Sequence, residues 1–177
     1  MPESKAAPHL RHDPVVSSAH LAAGGSPALS EVEFGLTLAH HAFQRWMIRC
    51  AAAAGAPGLS PIEVLILHTV RHRDRPKRRA DIALVLDIED SHLITYALGK
   101  LTRAGLITSE RAGKEVQVRA TAAGEALCAR YAAIRERLLV QGFADTGPGE
   151  APLSALASLL RALSGHYNQA ARAAATL

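Results

Sequence analysis

Two groups of side chains in this 177-residue chain can do chemistry, and both suit holding an anion rather than breaking a bond. The first is the run from Arg71 to Arg79, where Arg71, Arg73, Arg75, Lys77, Arg78 and Arg79 stand against the single carboxylate of Asp74. Such a run binds phosphates with strong salt dependence, or it is a solvated charge run that aids solubility. The second group is Ser91, His92, Thr95, Tyr96, Gly99, Lys100 and Arg103, which share one face of an amphipathic segment. Hydroxyls and cations on one helix face can meet the phosphates and base edges of a duplex; a merely solvated surface is the bland alternative. The first two turns of that segment hold no Arg, Asn or Gln, the side chains that make the strongest bidentate base contacts. Sequence readout there is modest, or it leans on water and duplex shape.

Covalent chemistry has no comparable set. The chain lacks the Gly-x-Ser-x-Gly elbow, the phosphate-binding loop, the Gly-rich dinucleotide fingerprint and His-Glu-x-x-His, so it reads as a non-enzyme without a cofactor. His40 and His41 are adjacent and cannot share a helix face. His68 and His72 are spaced i, i+4, which suits a metal pair, but no Cys or carboxylate completes an obvious set. Surface or interface histidines without a metal are the expectation. Cys50 and Cys128 form no Cys-x-x-Cys and read as reduced, buried thiols; a redox sensor or an inter-subunit disulfide is the alternative.

Composition bounds the scaffold that must position these groups. Hydrophobic residues make up 49% and aromatics only 4%, with Ala very common, so the core is Ala/Leu-rich and helical. A net charge of +4 permits an anionic partner without proving one. No apolar run approaches the roughly 20 residues that span a membrane, and the start lacks a signal peptide's basic and apolar regions. A soluble, cytoplasmic protein is expected.

Residues 1–29 are rich in Ala, Ser, Pro, Gly and His, and Pro2, Pro8, Pro14 and Pro27 interrupt any long helix. They read as a flexible N-terminal arm. Ser30 and Glu33 form a capping box that opens the first helix, which ends near Ala54-Gly55. Phe34, Leu38, His41, Ala42, Arg45, Trp46 and Arg49 recur along it at helical spacing. His41, Arg45, Trp46 and Arg49 are candidates for an effector pocket, and equally for a dimer interface. Ser60 and Glu63 form a second capping box around Pro61, followed by the apolar stripe Ile62, Leu65, Ile66 and Val70. After the cationic run, a short helix turns Ile82, Ala83, Leu86 and Ile88 inward. Residues 87–90 make the turn, and Asp90 or Glu89 caps the next helix. There Ile94, Ala97, Leu98 and Leu101 form the core stripe, which faces the polar group outward. Ala104-Gly105 stops this helix. From Leu106 the period becomes two, giving a hairpin tipped by Ala112-Gly113-Lys114, with Arg111 and Lys114 as further cations. Thr121 caps a long helix to about Val140, with Leu127, Tyr131, Ile134 and Leu138 inward. Residues 142–152 read as a linker. A last helix over roughly 152–174 gathers Leu156, Leu159, Leu160, Leu163 and Tyr167 on one face.

That order predicts a mainly α fold with a small β-hairpin. Residues 59–121 form a winged helix-turn-helix DNA-binding domain. Residues 30–55 and 122–177 form a helical dimerisation region.

Over roughly residues 31–175 the chain resembles the MarR-type winged-helix transcription regulators. The resemblance rests on Leu59-Ser-Pro-Ile-Glu63 and on Leu101-Thr-Arg-Ala-Gly-Leu-Ile107, which fits the family's Leu-x-x-x-Gly-Leu-Val/Ile. It rests also on Thr121-Ala-Ala-Gly124, which fits Leu-Thr-x-x-Gly with Ala120 in place of Leu. The resemblance implies an obligate homodimer with interlocked first and last two helices. It implies a pseudo-palindromic double-stranded DNA site and a small ligand that shifts the spacing of the two recognition helices. By family position, Ser91, His92, Thr95 and Tyr96 contact the duplex. Two departures stand out. The wing is short, and Arg111-Ala-Gly-Lys-Glu115 replaces the family's Asp-x-Arg, so Arg111 or Lys114 reaches a phosphate or groove edge rather than entering the minor groove. The turn before the recognition helix also looks longer than the family's. The expected DNA-binding set is Arg78, Arg79, Ser91, His92, Thr95, Tyr96, Lys100, Arg103, Arg111 and Lys114. The expected function is a sequence-specific regulator; the alternative is a winged helix for protein interaction or nonspecific DNA binding, without an operator.

Overall fold

The computed structural model describes residues 13–113 and 115–177; residues 1–12 of the expected arm and Lys114 at the expected hairpin tip lie outside them. The chain starts with a single turn, α1 (Ala19–Ala22), and then α2 (Pro27–Ala53). The start of α2 corrects the capping-box expectation. Pro27 stands in the first turn, where its missing N–H has no partner to lose. Ser30 is buried one turn later and donates its hydroxyl to the Leu21 carbonyl at 3.1 Å. Glu31 accepts the Val15 amide at 2.8 Å. Ala19–Ala22 and residues 27–29 are therefore helical where an arm of little structure was expected.

The second capping box forms as expected. The Ser60 amide donates to Glu63 Oε2 at 2.8 Å, and Ser60 Oγ accepts the Glu63 amide at 3.4 Å, opening α3 (Pro61–Arg71). Here α3 is the central helix, packed against α2, later helices and the sheet. Its buried arc is wider than one stripe: Val64, Ile66, Leu67 and Val70 are sealed, while Ile62 and Leu65 are half-buried. A tight turn at His72–Asp74 follows, with Arg73 and Asp74 in the left-handed region at φ 59 and 45. Then β1 (Lys77–Arg78) pairs antiparallel with Val118 and Gln117. The small hairpin is thus the larger part of a three-stranded sheet. Two residues carry no readable period, so this strand was not anticipated.

Next come α4 (Arg79–Leu86), closed by Asp87 at φ 53, and α5 (Ser91–Arg103). Asp90 caps α5, accepting the His92 amide at 2.8 Å and the Leu93 amide at 3.4 Å. Gly105, at φ 69, lets the chain reverse: the Leu106 amide reaches back to the Leu101 carbonyl at 3.0 Å and the Gly105 amide to Thr102 at 2.9 Å. That reversal feeds β2 (Ile107–Ala112), which pairs with β3 (Glu115–Ala120) in register from Ile107–Ala120 to Ala112–Glu115. Thr121 joins hairpin to helix. Its hydroxyl donates to the Gly105 carbonyl at 2.6 Å and accepts the Gly124 amide at 3.1 Å, opening α6 (Ala122–Arg135). A Cβ on Gly124 would collide with the Leu106 carbonyl, which is why this motif needs glycine.

The end of the chain differs from expectation. Beyond α6 a π-type turn (Glu136–Val140) leads into α7 (Gln141–Thr146) with helical backbone throughout. The linker shrinks to residues 147–149, and α8 (Glu150–Ala174) takes Pro152 into its first turn. Leu138, expected inward, is 58% exposed, because the helix has left the core by then. That core runs from Met47, Cys50 and Ala54 through Ile66, Ile82, Ile94, Leu101 and Ile107 to Leu127 and Tyr131. Cys50 and Cys128 are free and buried, and burial pushes both thiols above their ordinary range. Among the described residues no helix is long and apolar enough to cross a membrane.

Candidate DNA-binding surface

The inner face of α5 decides what its outer face presents. Ile94, Ala97 and Leu101 are fully sealed, which turns Ser91, His92, Thr95 and Tyr96 to solvent, Tyr96 with 65% of its surface exposed. Thr95 donates its hydroxyl to the Ser91 carbonyl at 2.8 Å and receives a hydrogen bond from Arg79 Nη1 at 3.1 Å. A cation from the start of α4 therefore rests on the middle of the polar face.

Arg78 is held differently. Its guanidinium gives Nη2 to Asp81 Oδ1 at 2.8 Å, Nε to Asp81 Oδ2 at 3.1 Å and Nη1 to Glu115 at 3.3 Å. Hydrogen bonds from Arg78 hold the Asp81 carboxyl below the usual range. The bridge ties α4 to the first residue of β3, and so fixes the hairpin beside the helix pair. Between α4, α5 and the sheet lies a cleft of about 670 Å³ with an apolar floor of Ala83, Ile94, Leu98 and Val118. Arg78, Arg79, Ser91 and Thr95 line it too.

Of the expected set, the fold brings together Arg78, Arg79, Ser91 and Thr95, with His92 and Tyr96 exposed beside them on α5. Lys100 is engaged elsewhere. Its ammonium lies 2.9 Å from Glu63 Oε2 and donates to the Gly58 carbonyl at 2.8 Å, so it clamps α5 onto the start of α3. Arg103 lies back along α5, close to Gly99. Arg111 is exposed on β2 opposite Val116. The cationic run diverges rather than forming one stripe. Arg71 meets Asp74 at 3.9 Å and Glu125 at 3.8 Å, and Lys77 turns inward.

Three carboxylates shape this surface and were not singled out for it: Glu63, Asp81 and Glu115. The capping box placed Glu63 at the start of α3, but its second partner comes from a distant helix and left no local signal. His41 and Arg45 are exposed on α2 and Trp46 is half-buried; neither of the two cavities described in this structure is lined by them. His68 packs edge-on to the Tyr131 ring at 4.7 Å, and burial lowers its pKa. Among the described residues no group of three or more His, Cys, Asp or Glu side chains could hold a metal ion.

Residues 59–124 match a family described as winged helix DNA-binding domain. No curated protein matches the chain by sequence. Among solved structures the chain is similar to a MarR family transcription regulator at 16% identity and a TM-score of 0.65, covering 82% of this chain and 94% of that one. It is similar to NMB1585, a MarR family regulator from Neisseria meningitidis, at 16% identity and a TM-score of 0.63, covering 80% and 94%. A mutant MarR from E. coli, complexed with operator DNA, matches at 16% identity and a TM-score of 0.60, covering 72% and 89%. The chain thus carries a winged helix domain within the fold of MarR family regulators.

Proposed function

We propose that this chain is a MarR-type transcription regulator that binds a pseudo-palindromic operator in double-stranded DNA as a homodimer in the cytoplasm, without catalysing a reaction. The observation that carries this reading is the outer face of α5. Ser91, His92, Thr95 and Tyr96 stand exposed on a helix whose opposite face is sealed, with Arg79 against Thr95. A major groove admits such a helix, and hydroxyls, an imidazole and a phenol can contact base edges and phosphates there. Arg79 and Arg111 supply phosphate contacts that set register. Since none of the α5 readers is bidentate, shape and water carry much of the preference.

Homodimerisation is supported by the faces the chain leaves uncovered. The 25 residues of α8 include none that is buried, although Leu156, Leu159, Leu160, Leu163 and Tyr167 share a face. Along α2, Leu38, Phe43 and Ile48 are exposed as well. A second copy would cover such stripes and place two α5 helices on half-sites about 34–36 Å apart. Occupying a promoter then blocks or assists polymerase. A small ligand that changes the separation of the two α5 helices would change the fit, with His41, Arg45 and Trp46 on α2 as candidate contacts.

A second reading, a winged helix for protein interaction or nonspecific DNA binding, is favoured by the exposed Leu84 and Val85 on α4 and by the missing bidentate readers. Binding to the protein's own upstream DNA and to scrambled DNA at physiological salt separates the two. A preference of about a thousand-fold supports the regulator; equal, salt-sensitive binding supports the alternative.

A further inference from the structure

A second cavity, of about 480 Å³, lies between the end of α3, the loop after it and α4. It shares no lining residue with the α5 cleft: Asp81 and Val85 of α4 face it, while Ala80 and Ala83 face the cleft. Neighbouring side chains of a strand point to opposite sides, so β1 sends Lys77 into this cavity and Arg78 into the other.

Lys77 is the unusual group. It is only 6% exposed, and its ammonium donates to the His72 carbonyl at 2.6 Å and to the Arg75 carbonyl at 2.9 Å. It forms no ion pair among the described residues. An ammonium has three donors, and these carbonyls take two. Asp81 attracts it only from beyond ion-pair distance, and a buried cation without a contact partner is unfavourable, which an anion beside it relieves. Arg73 and Arg75 line the same cavity, exposed and also without an ion pair among the described residues. The one carboxylate in the lining, Asp81, is already engaged by Arg78 through both oxygens. Leu65 and Val85 supply an apolar wall, and the half-buried His68 adds a ring whose pKa burial lowers. The loop carrying these groups contains the consecutive left-handed residues Arg73 and Asp74, and the two bonds from Lys77 brace it.

We propose that this cavity binds a phosphate monoester, its dianionic phosphate among Arg73, Arg75 and the third N–H of Lys77 and its organic body against Leu65 and Val85. Three cations facing one carboxylate that Arg78 already pairs leave a net positive charge that suits two negative charges better than one. The cavity lies across α4 from Ser91 and Thr95, so the phosphate it takes is that of a free small molecule rather than the DNA backbone. Its occupancy also weakens DNA binding, a consequence that rests on the regulator reading. Asp81 borders this cavity and holds Arg78, which holds Glu115 of the hairpin. A dianion beside Asp81 repels that carboxylate and lowers the positive potential at the DNA face.

Calorimetry of the full chain with phenyl phosphate, in chloride buffer of fixed ionic strength at a pH above its second pKa of about 6, tests the site. Saturable binding is expected, weakened about tenfold or more in the double variant Arg73→Gln/Arg75→Gln and unchanged in Arg103→Gln. Absence of saturation, equal affinity in the double variant, or equally tight binding of the monoanion benzenesulfonate would overturn the site. Fluorescence anisotropy with the upstream duplex tests the coupling. Phenyl phosphate should lower the affinity of the natural protein several-fold and leave the double variant unmoved. If phenyl phosphate binds and DNA affinity does not change, the coupling is wrong. If phenyl phosphate binds and no specific DNA binding exists, the site stands and the regulator reading falls.

Discussion

The winged helix and the long C-terminal helix use the same sequence device and come to opposite ends. Both α5 and α8 carry apolar residues at helical spacing. In α5 the stripe is sealed: Ile94, Ala97 and Leu101 pack under α3 and the sheet. In α8 no residue is buried, and Leu156, Leu159 and Leu160 remain open. An apolar stripe states that a helix face needs a partner; only the fold states whether that partner belongs to the same chain. The winged helix buries its own stripe, whereas α8 and part of α2 leave apolar residues uncovered within one chain.

The largest effects should appear where the winged helix has no slack. Gly124→Ala drives a methyl into the Leu106 carbonyl at the junction of β2 and α6. We expect a loss of about 3 kcal/mol or more in chemical denaturation; a loss near zero would show that the junction can open. A pair of truncations separates α5 from α8. Ile94→Ala should destabilise the chain by about 2–5 kcal/mol at any protein concentration. Leu159→Ala should instead make the melting temperature fall more steeply on dilution, with a weaker dimer in sedimentation. If both variants behave alike, the two regions do not differ as described.

Lys100→Met should cost about 1–3 kcal/mol, since it leaves the Glu63 carboxylate, 2% exposed, with the Ser60 amide but no cation, while Lys100 itself keeps partial contact with water. Its salt slope of DNA binding should stay that of the natural protein. A slope reduced by about one would make Lys100 a phosphate contact instead of a clamp.

A smaller effect lies at alkaline pH. Burial raises the Tyr131 phenol from 10.0 to about 12. The folded state therefore favours the protonated ring. Its contribution is complete below pH 10.0, and falls away as pH rises toward 12. The melting temperature should drop across that window, and Tyr131→Phe should flatten the drop.

Local chemistry made most of the winged helix legible. The caps at Ser60, Asp90 and Thr121, the stop at Gly105 and the stripe of α5 each depend on residues within a turn or two, and each forms as read. Distant partners were invisible. Lys100 looked like one more cation on a polar face until Glu63 arrived from α3. Lys77 looked like part of a charge run until β1 paired with β3 and turned it inward. Punctuation residues misled where helix could absorb them: Pro27 and Pro152 sit in first turns, and Gly142 lies inside α7. Ser30 had the right neighbour for a capping box but was drawn to the Leu21 carbonyl.

The most direct measurement is the affinity of the natural protein and of Ser91→Ala/Thr95→Val for its own upstream DNA and for scrambled DNA, at one physiological salt concentration. The natural protein should prefer its own upstream DNA about a thousand-fold. The double variant should lose much of that preference while its nonspecific affinity holds, because the two hydroxyls lie on the reading face and every cation keeps its charge, Arg79 losing only its hydrogen bond to Thr95. Equal affinity of the natural protein for both sequences, or a double variant that discriminates as well as the natural protein, would contradict α5 as the reader.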